Sequence, residues 1–325
     1  MNNKCFIGIY ADHIKQFIEL KHSLGFKYNT EERILVRFDR LTVERCEKKI
    51  GITKELSEAW CMKRDNESYT NQYNRNVVLN QFSLYLSQVG IPSRTFHIRK
   101  QKKTFIPHIY TQREMGEIFN ACDGLRCDRR RMNTSYMVMP SLIRLLYGTG
   151  IRIGEALCLK VKDVNLQDNF LILRDTKNGK ERITPFSKSL SSVLQEYGLY
   201  RDKMPLVRTK NSFFFIQLNG KPCISHSIYI RFQYILRQAN ISFIGGHRGP
   251  RIHDLRHTFA VHSLAMMADG GMDIYCSLPI LSTYLGHQSL EATNQYVRLT
   301  AEQYPNLIKE TGDIYFNIFP QFKQQ

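Results

Sequence analysis

At 325 residues, 42% of them hydrophobic, the chain is long enough for two packed domains and too apolar to be intrinsically disordered. Lys and Arg outnumber Asp and Glu by 46 to 29, and the charge of +17 points to a polyanionic partner, either nucleic acid or an anionic membrane surface. No apolar run reaches the ~20 residues of a spanning helix, and Met1-Asn2-Asn3-Lys4-Cys5 lacks the apolar core of a secretory signal. Nucleic acid is therefore the favoured partner, no membrane is expected, and the expected location is cytoplasmic. The cysteines at 5, 46, 61, 122, 127, 158, 223 and 276 form no Cys-x-x-Cys pair. They read as free thiols of a reducing compartment, with Cys122 and Cys127 only a weak metal signal.

Residues 1–93 read as a bundle of four short helices. Tyr10, Ile14, Phe17 and Ile18 form one apolar stripe at helical spacing. Thr30 followed by Glu31 and Glu32 predicts a capped helix start, continued by Ile34, Leu35, Phe38 and Leu41. Thr53 opens a third helix and Ser68 a fourth, with Val77, Val78, Phe82 and Leu86 inward and Gly90-Ile91-Pro92 as its end. Residues 94–113 change character. Arg94, Arg99, Lys100, Lys102, Lys103 and Arg113 gather there, and no acid lies between the first and the last. Most such runs are solvated linkers. Because this one joins two domains of an already basic chain, it is read as a strap along a phosphate backbone, with Arg94, Arg99, Lys100, Lys102 and Lys103 as DNA contacts.

Residues 114–325 read as mixed. An apolar helix over 137–147 is ended by Gly148-Thr149-Gly150, and a second runs from Ile151 through Leu159. Residues 170–174 and 181–186 predict paired strands, because Asn178-Gly179 between them is a strong hairpin signal. Helices are predicted around 187–197, 226–239, 254–267, 278–286, 289–298 and 301–310. The fold class is thus mainly α (α+β): a helical N-terminal domain, a basic linker, and a C-terminal mixed α/β domain with a small hairpin sheet and an aromatic-rich tail.

Five signals in the second domain carry chemistry. Arg152 follows the glycine break, where its guanidinium and the helix's first N–H groups would both face an anion; alone it would pass for a surface arginine paired with Glu155. Lys177 stands at the hairpin tip with Lys180 close behind, which is ordinarily no more than a solubilising turn. In His253-Asp254-Leu255-Arg256-His257 the first histidine and the arginine share a helix face. His257 completes a His-x-x-x-His spacing, but Asp254 stands where a zinc-site glutamate would be needed, so zinc is a poor second, and His257 and His262 are read as packing or hydrogen-bonding residues. His287 follows Gly286, and Tyr296 comes nine residues later. Each is weak alone. Together they supply a phenol, two imidazoles, two guanidiniums and a lysine, the set a phosphodiester attacked by a tyrosine requires.

In these segments the chain resembles the tyrosine recombinase (phage integrase) family. Thr149-Gly150-Ile151-Arg152-Ile153-Gly154-Glu155 is similar to that family's first-arginine motif, and Thr176-Lys177-Asn178-Gly179-Lys180 to its lysine hairpin. His253-Asp254-Leu255-Arg256 resembles its His-x-x-Arg box, and Leu285-Gly286-His287 through Tyr296 its second-histidine and nucleophile segment. The motifs lie between about residues 140 and 300, while the first hundred residues resemble the family's core-binding domain less specifically. Residues 265–278 are longer than the family usually has between the second arginine and the second histidine.

The resemblance implies a site-specific recombinase that cuts and rejoins DNA. Tyr296 attacks the phosphate to leave a 3′-phosphotyrosyl link and a free 5′-hydroxyl, with no ATP, metal or cofactor. It implies that Arg152 and Arg256 hold the non-bridging oxygens, Lys177 protonates the leaving oxygen, His253 accepts the tyrosine proton and His287 donates to the phosphate. It further implies double-stranded DNA as partner and a homo-oligomer, a tetramer in the synapse. The rivals are a type IB topoisomerase-like relaxation activity, a non-catalytic DNA-binding regulator of the same fold and, least favoured, a metal-dependent nuclease.

Overall fold

The apolar stripes of the N-terminal residues become four helices in the computed structural model. It describes residues 6–96, 98, 106–126, 135–174, 179, 181–206, 209–243, 249–287, 289 and 291–304. The chain divides into two units, residues 1–104 and 105–325.

The first unit comprises α1 (Ala11–Ser23), α2 (Asn29–Glu44), α3 (Lys54–Cys61) and α4 (Tyr69–Gln88). Its core is aromatic: Tyr10, Phe17, Phe38, Trp60 and Phe82 are all buried, and Phe38 packs edge-on against Trp60 at 5.4 Å. Burial of each such ring contributes roughly 1.5–3 kcal/mol. Thr53 and Ser68 cap α3 and α4, accepting the N–H groups of Leu56 and Asn71. The start predicted at Thr30 is different. Helix α2 begins at Asn29 after Tyr28, which is left-handed at φ 43° and makes no side-chain cap. The buried Tyr28 ring, edge-on to Phe17 at 5.7 Å, fixes the chain's entry instead. Arg94, expected as a DNA contact, packs on this unit through its backbone: its N–H donates to Ile52 and its carbonyl accepts from Ser83. The side chain of Arg94 lies 3.7 Å from Glu58. Arg99, Lys100, Lys102 and Lys103 lie outside the described residues.

The second unit is mainly helical around a small antiparallel sheet. Its elements begin with α5 (Gln112–Asp123), α6 (Met139–Thr149) and α7 (Ile153–Cys158). Then come β1 (Val164–Asn165), β2 (Phe170–Leu173) and β3 (Arg182–Pro185). The remainder are α8 (Lys188–Asp202), α9 (Ser225–Gln238), α10 (Asp254–Asp269), α11 (Ile274–Leu285) and α12 (Glu291–Gln303). The predicted hairpin pairs Leu171 with Thr184 and Leu173 with Arg182, and β1 adds a third strand to it through Val164 and Leu171. One core surrounds α6; a second joins α10, α11 and α12 through Val261, Leu264, Leu281, Leu285 and Tyr296.

Several boundaries depart from expectation. Helix α5 replaces the end of the predicted linker, held by a capping box between Thr111 and Glu114. Just before it Tyr110 is fully buried, its N–H donating to Thr258 Oγ1 at 3.0 Å. Residues 265–278 lengthen two helices that the sequence placed at 254–267 and 278–286. Helix α10 runs on to Asp269, and Asp273 caps α11 by accepting from Tyr275 and Cys276. Helix α12 covers most of the helix predicted at 289–298 and runs on through residues 299–303; residues 305–310 of the helix predicted at 301–310 lie outside the described residues. Residues 305–325, the aromatic tail, lie outside the described residues.

Candidate active site

Two helix ends and one buried arginine form the site's centre. Helix α6 terminates at Gly150, left-handed at φ 60°, where a Cβ would collide with the Phe259 ring. Its carbonyl accepts Arg256 Nη1 at 2.7 Å. Helix α11 terminates at Gly286, also left-handed, and the carbonyl of Leu285 accepts Arg256 Nη2 at 2.9 Å. Arg256 is thereby fixed from two sides and almost fully buried. Burial and the neighbouring Arg152 lower its pKa to about 10, so it remains a cation at neutral pH.

Arg152 stands at the N-cap of α7, and Glu155 in the first turn holds it at two points. The carboxylate accepts the Arg152 N–H at 3.0 Å and Nη1 at 2.9 Å. The i,i+3 pair is thus present, but Glu155 is buried rather than on the surface. Arg182 on β3 adds two more bonds to the same carboxylate, at 2.8 and 3.2 Å, and its Nε donates to Tyr284 O at 3.2 Å. Burial alone would raise the Glu155 pKa; Arg182 and Arg152 overcome it and hold the group below its usual range. Strand β3 is thereby tied both to Arg152 and to the end of α11.

The phenol and imidazoles meet beside these cations. Tyr296 on α12 is 1% exposed, and its hydroxyl lies 3.1 Å from His257 Nδ1. On its other side the His287 ring stacks at 6.1 Å and 18°, with Nδ1 2.7 Å from Thr293 Oγ1. His253, at the N-cap of α10, sets its ring edge-on to His257 at 5.1 Å. Burial raises the Tyr296 pKa against the pull of Arg256 and Arg152. It lowers His257 to about 3, helped by His253, Arg251, Arg256 and His287, and lowers His287 to about 4, helped by Arg256, Arg152 and Arg182. Both imidazoles are therefore neutral in the free protein.

Of the residues predicted from sequence, Arg152, His253, Arg256, His287 and Tyr296 come together here. Lys177 and Lys180 lie outside the described residues, but the arms below the hairpin tip are clasped by Arg174, which bonds Glu181 at 3.1 and 3.2 Å and Asp163 at 2.9 Å. Sequence reasoning missed Arg182, Thr293 and the place of His257 on the Tyr296 hydroxyl. A signal for Arg182 existed. In Arg182-Ile183-Thr184 the strand alternation turns Thr184 and Arg182 inward and leaves Ile183 exposed, and a charge on an inward strand position needs a buried partner.

A site of this kind holds an anion between fixed guanidiniums and presents a phenol to it. The phage integrase family model matches residues 109–303, and the chain belongs to that family. It is 29% identical over 309 residues to the putative integrase/recombinase y4rB of Sinorhizobium fredii, covering 94% of this chain and 96% of that one. It is 27% identical over 232 residues to the tyrosine recombinase XerC of Staphylococcus haemolyticus, covering 70% and 67%. In fold it is similar to the XerH site-specific recombinase solved with its palindromic difH substrate after cleavage. That similarity has a TM-score of 0.62 at 19% identity, over 88% of this chain and 79% of that one.

Proposed function

We propose that the chain is a site-specific tyrosine recombinase that cuts and rejoins double-stranded DNA. The observation that carries this reading is the buried Tyr296 phenol, set among His257, His287 and His253 beside the fixed guanidiniums of Arg256 and Arg152. Tyr296 Oη forms a bond to the scissile phosphorus, the bond from phosphorus to the 5′-oxygen breaks, and that oxygen leaves as a hydroxyl with a proton from Lys177. Arg152 and Arg256 hold the non-bridging oxygens, whose charge grows in the transition state. His253 accepts the proton that Tyr296 gives up as that bond forms, and His287 donates a hydrogen bond to the phosphate. The phosphotyrosyl bond keeps the energy of the broken link, and attack by a second strand's 5′-hydroxyl restores the tyrosine. Joining two duplexes calls for a homo-oligomer, and we assign a tetramer in the synapse; sedimentation of the protein with two-site DNA should give four protomers to two duplexes.

The deciding experiment uses a nicked suicide substrate. Wild-type protein should give a denaturation-resistant adduct and Tyr296→Phe none. An adduct that persists in the Phe variant would overturn the assignment. A regulator of the same fold would bind DNA without forming one.

A further inference from the structure

We propose that Thr293 is a positioning residue for His287: its hydroxyl donates to Nδ1 and so keeps the imidazole's proton on Nε2, the nitrogen offered to the phosphate. The inference rests on the recombinase reading above, in which His287 donates to the phosphate. Two elements hold His287. Its backbone belongs to the turn that ends α11, where its N–H donates to Ser282 O at 3.0 Å and Gly286 N–H to Thr283 O at 3.1 Å. Its side chain is held by α12, through the 2.7 Å contact of Nδ1 with Thr293 Oγ1. Thr293 is fully buried, and a buried hydroxyl requires a hydrogen-bond partner, which Nδ1 supplies. It stands in the first turn of α12, three residues before Tyr296, whose ring stacks on His287 at 6.1 Å and 18°. The helix that carries the nucleophile therefore also sets the imidazole beside it.

The direction of that bond decides what His287 can do. Burial and the guanidiniums of Arg256, Arg152 and Arg182 hold its pKa down to about 4, so one proton serves two ring nitrogens. The bond made at one nitrogen of a neutral imidazole fixes the protonation of the other. With Nδ1 engaged by α12, Nε2 is the nitrogen left for a ligand. Facing a phosphate oxygen it must carry the proton, because a lone pair there would repel the anion. Nδ1 then accepts, and the Thr293 hydroxyl, which can serve either way, donates. A donor set in place before the phosphate arrives needs no reorganisation as charge grows on the non-bridging oxygens. Arg256 is fixed on the same turn through Leu285 O, so the imidazole and the guanidinium keep their spacing.

The test compares Thr293→Val with Thr293→Ser. Valine keeps the branched shape of threonine but puts a methyl where the hydroxyl was, whereas serine keeps the hydroxyl. Nitrogen-15 spectra of the imidazoles in the DNA-free protein, with His287→Ala identifying the signal, should show the Nε2–H form of His287 in wild type and in Thr293→Ser. In Thr293→Val the Nδ1–H form should appear, since nothing then holds the lone pair on Nδ1. On a nicked suicide duplex Thr293→Val should form adduct about 10–100-fold more slowly, as loss of the partner that orients a metal-bound histidine does. Thr293→Ser should restore most of the rate. In a His287→Ala background Thr293→Val should add no further defect, which a mere packing role would. Thr293→Ala, a stronger helix former, gives the same comparison if the Val protein melts lower than wild type. An Nδ1–H signal in wild type, a wild-type cleavage rate without the hydroxyl, or an equal defect in the His287→Ala background would each overturn the proposal. Absence of adduct from the wild-type protein would remove the recombinase reading instead, and the nitrogen spectra would still report the tautomer.

Discussion

Arg182 shows how a residue outside the recognised motifs can govern those inside. Its guanidinium makes two bonds to Glu155 and one to Tyr284 O, and Glu155 in turn positions Arg152. Arg182→Ala should lower unfolding free energy by about 1–3 kcal/mol, because the buried carboxylate keeps only part of its satisfaction. Urea denaturation checks the stability, and adduct formation should slow as Arg152 loosens; an unchanged cleavage rate would show that Glu155 positions Arg152 unaided. The buried imidazoles predict a second effect. His257 and His287 have native values of about 3 and 4 against an ordinary 6.5, so the unfolded chain binds more protons between those limits. The stability this contributes is complete above about pH 6.5 and is lost as pH falls toward about 4. The thermal midpoint should decline from pH 7 to pH 5, less steeply in His257→Asn, and a flat profile would contradict the neutral imidazoles. At this scale the sequence made Arg152, Arg256, His287 and Tyr296 legible through their flanking glycines and spacing. Arg182 and Glu155 stand 27 positions apart and leave no periodic trace of their pairing. The place of His257 on the Tyr296 hydroxyl depends on helix phase against a partner helix, which one strand of sequence does not contain.

Elements were legible where a local signal existed and uncertain where tertiary packing set the boundary. Asn178-Gly179 marked the hairpin, and Thr53 and Ser68 marked helix starts by side-chain caps. Helix α5 carried an equally readable box at Thr111 and Glu114, obscured by the basic run before it. Helix α12 is continuous because Leu299 packs with Tyr296 in the core it shares with α10, where the sequence suggested a break. The hairpin also sets the next prediction. Arg174 bonds Glu181 and Asp163, and Arg182 anchors β3, so the described arms of the hairpin are braced. Lys177→Ala should slow cleavage about 10²–10⁴-fold, as loss of a general acid does, and Lys180→Ala should do so far less. A 5′-bridging sulfur should rescue the Lys177 variant, since that leaving group needs no proton; equal defects at both lysines, or no rescue, would exclude the acid role.

Across the whole molecule, the 46 basic residues against 29 acidic ones make binding to DNA a salt-governed equilibrium. Log K should fall with log salt by about 0.9 for each phosphate contact. Charge reversal at Lys100, Lys102 and Lys103 should flatten that slope while leaving thermal stability as it was. Titration at several salt concentrations measures it, and an unchanged slope would mean that residues 94–113 only connect the two units. Each unit has its own core, so a defect in the strap should alter affinity without unfolding either.

The two carbonyls that grip Arg256 have one more effect. Each belongs to the C-terminal end of a helix, α6 at Gly150 and α11 at Leu285, and such an end carries roughly half a negative charge from its aligned peptide dipoles. The guanidinium's two main-chain hydrogen bonds therefore go to helix-end dipoles, with the Glu155 carboxylate adding its attraction from the side of Arg152. Dipoles of this sort neither titrate nor dissociate, and they keep their strength whatever the pH. The anion-holding half of the site should thus outlast acidification that silences its proton-handling half, leaving a protein that still grips DNA but no longer cuts it.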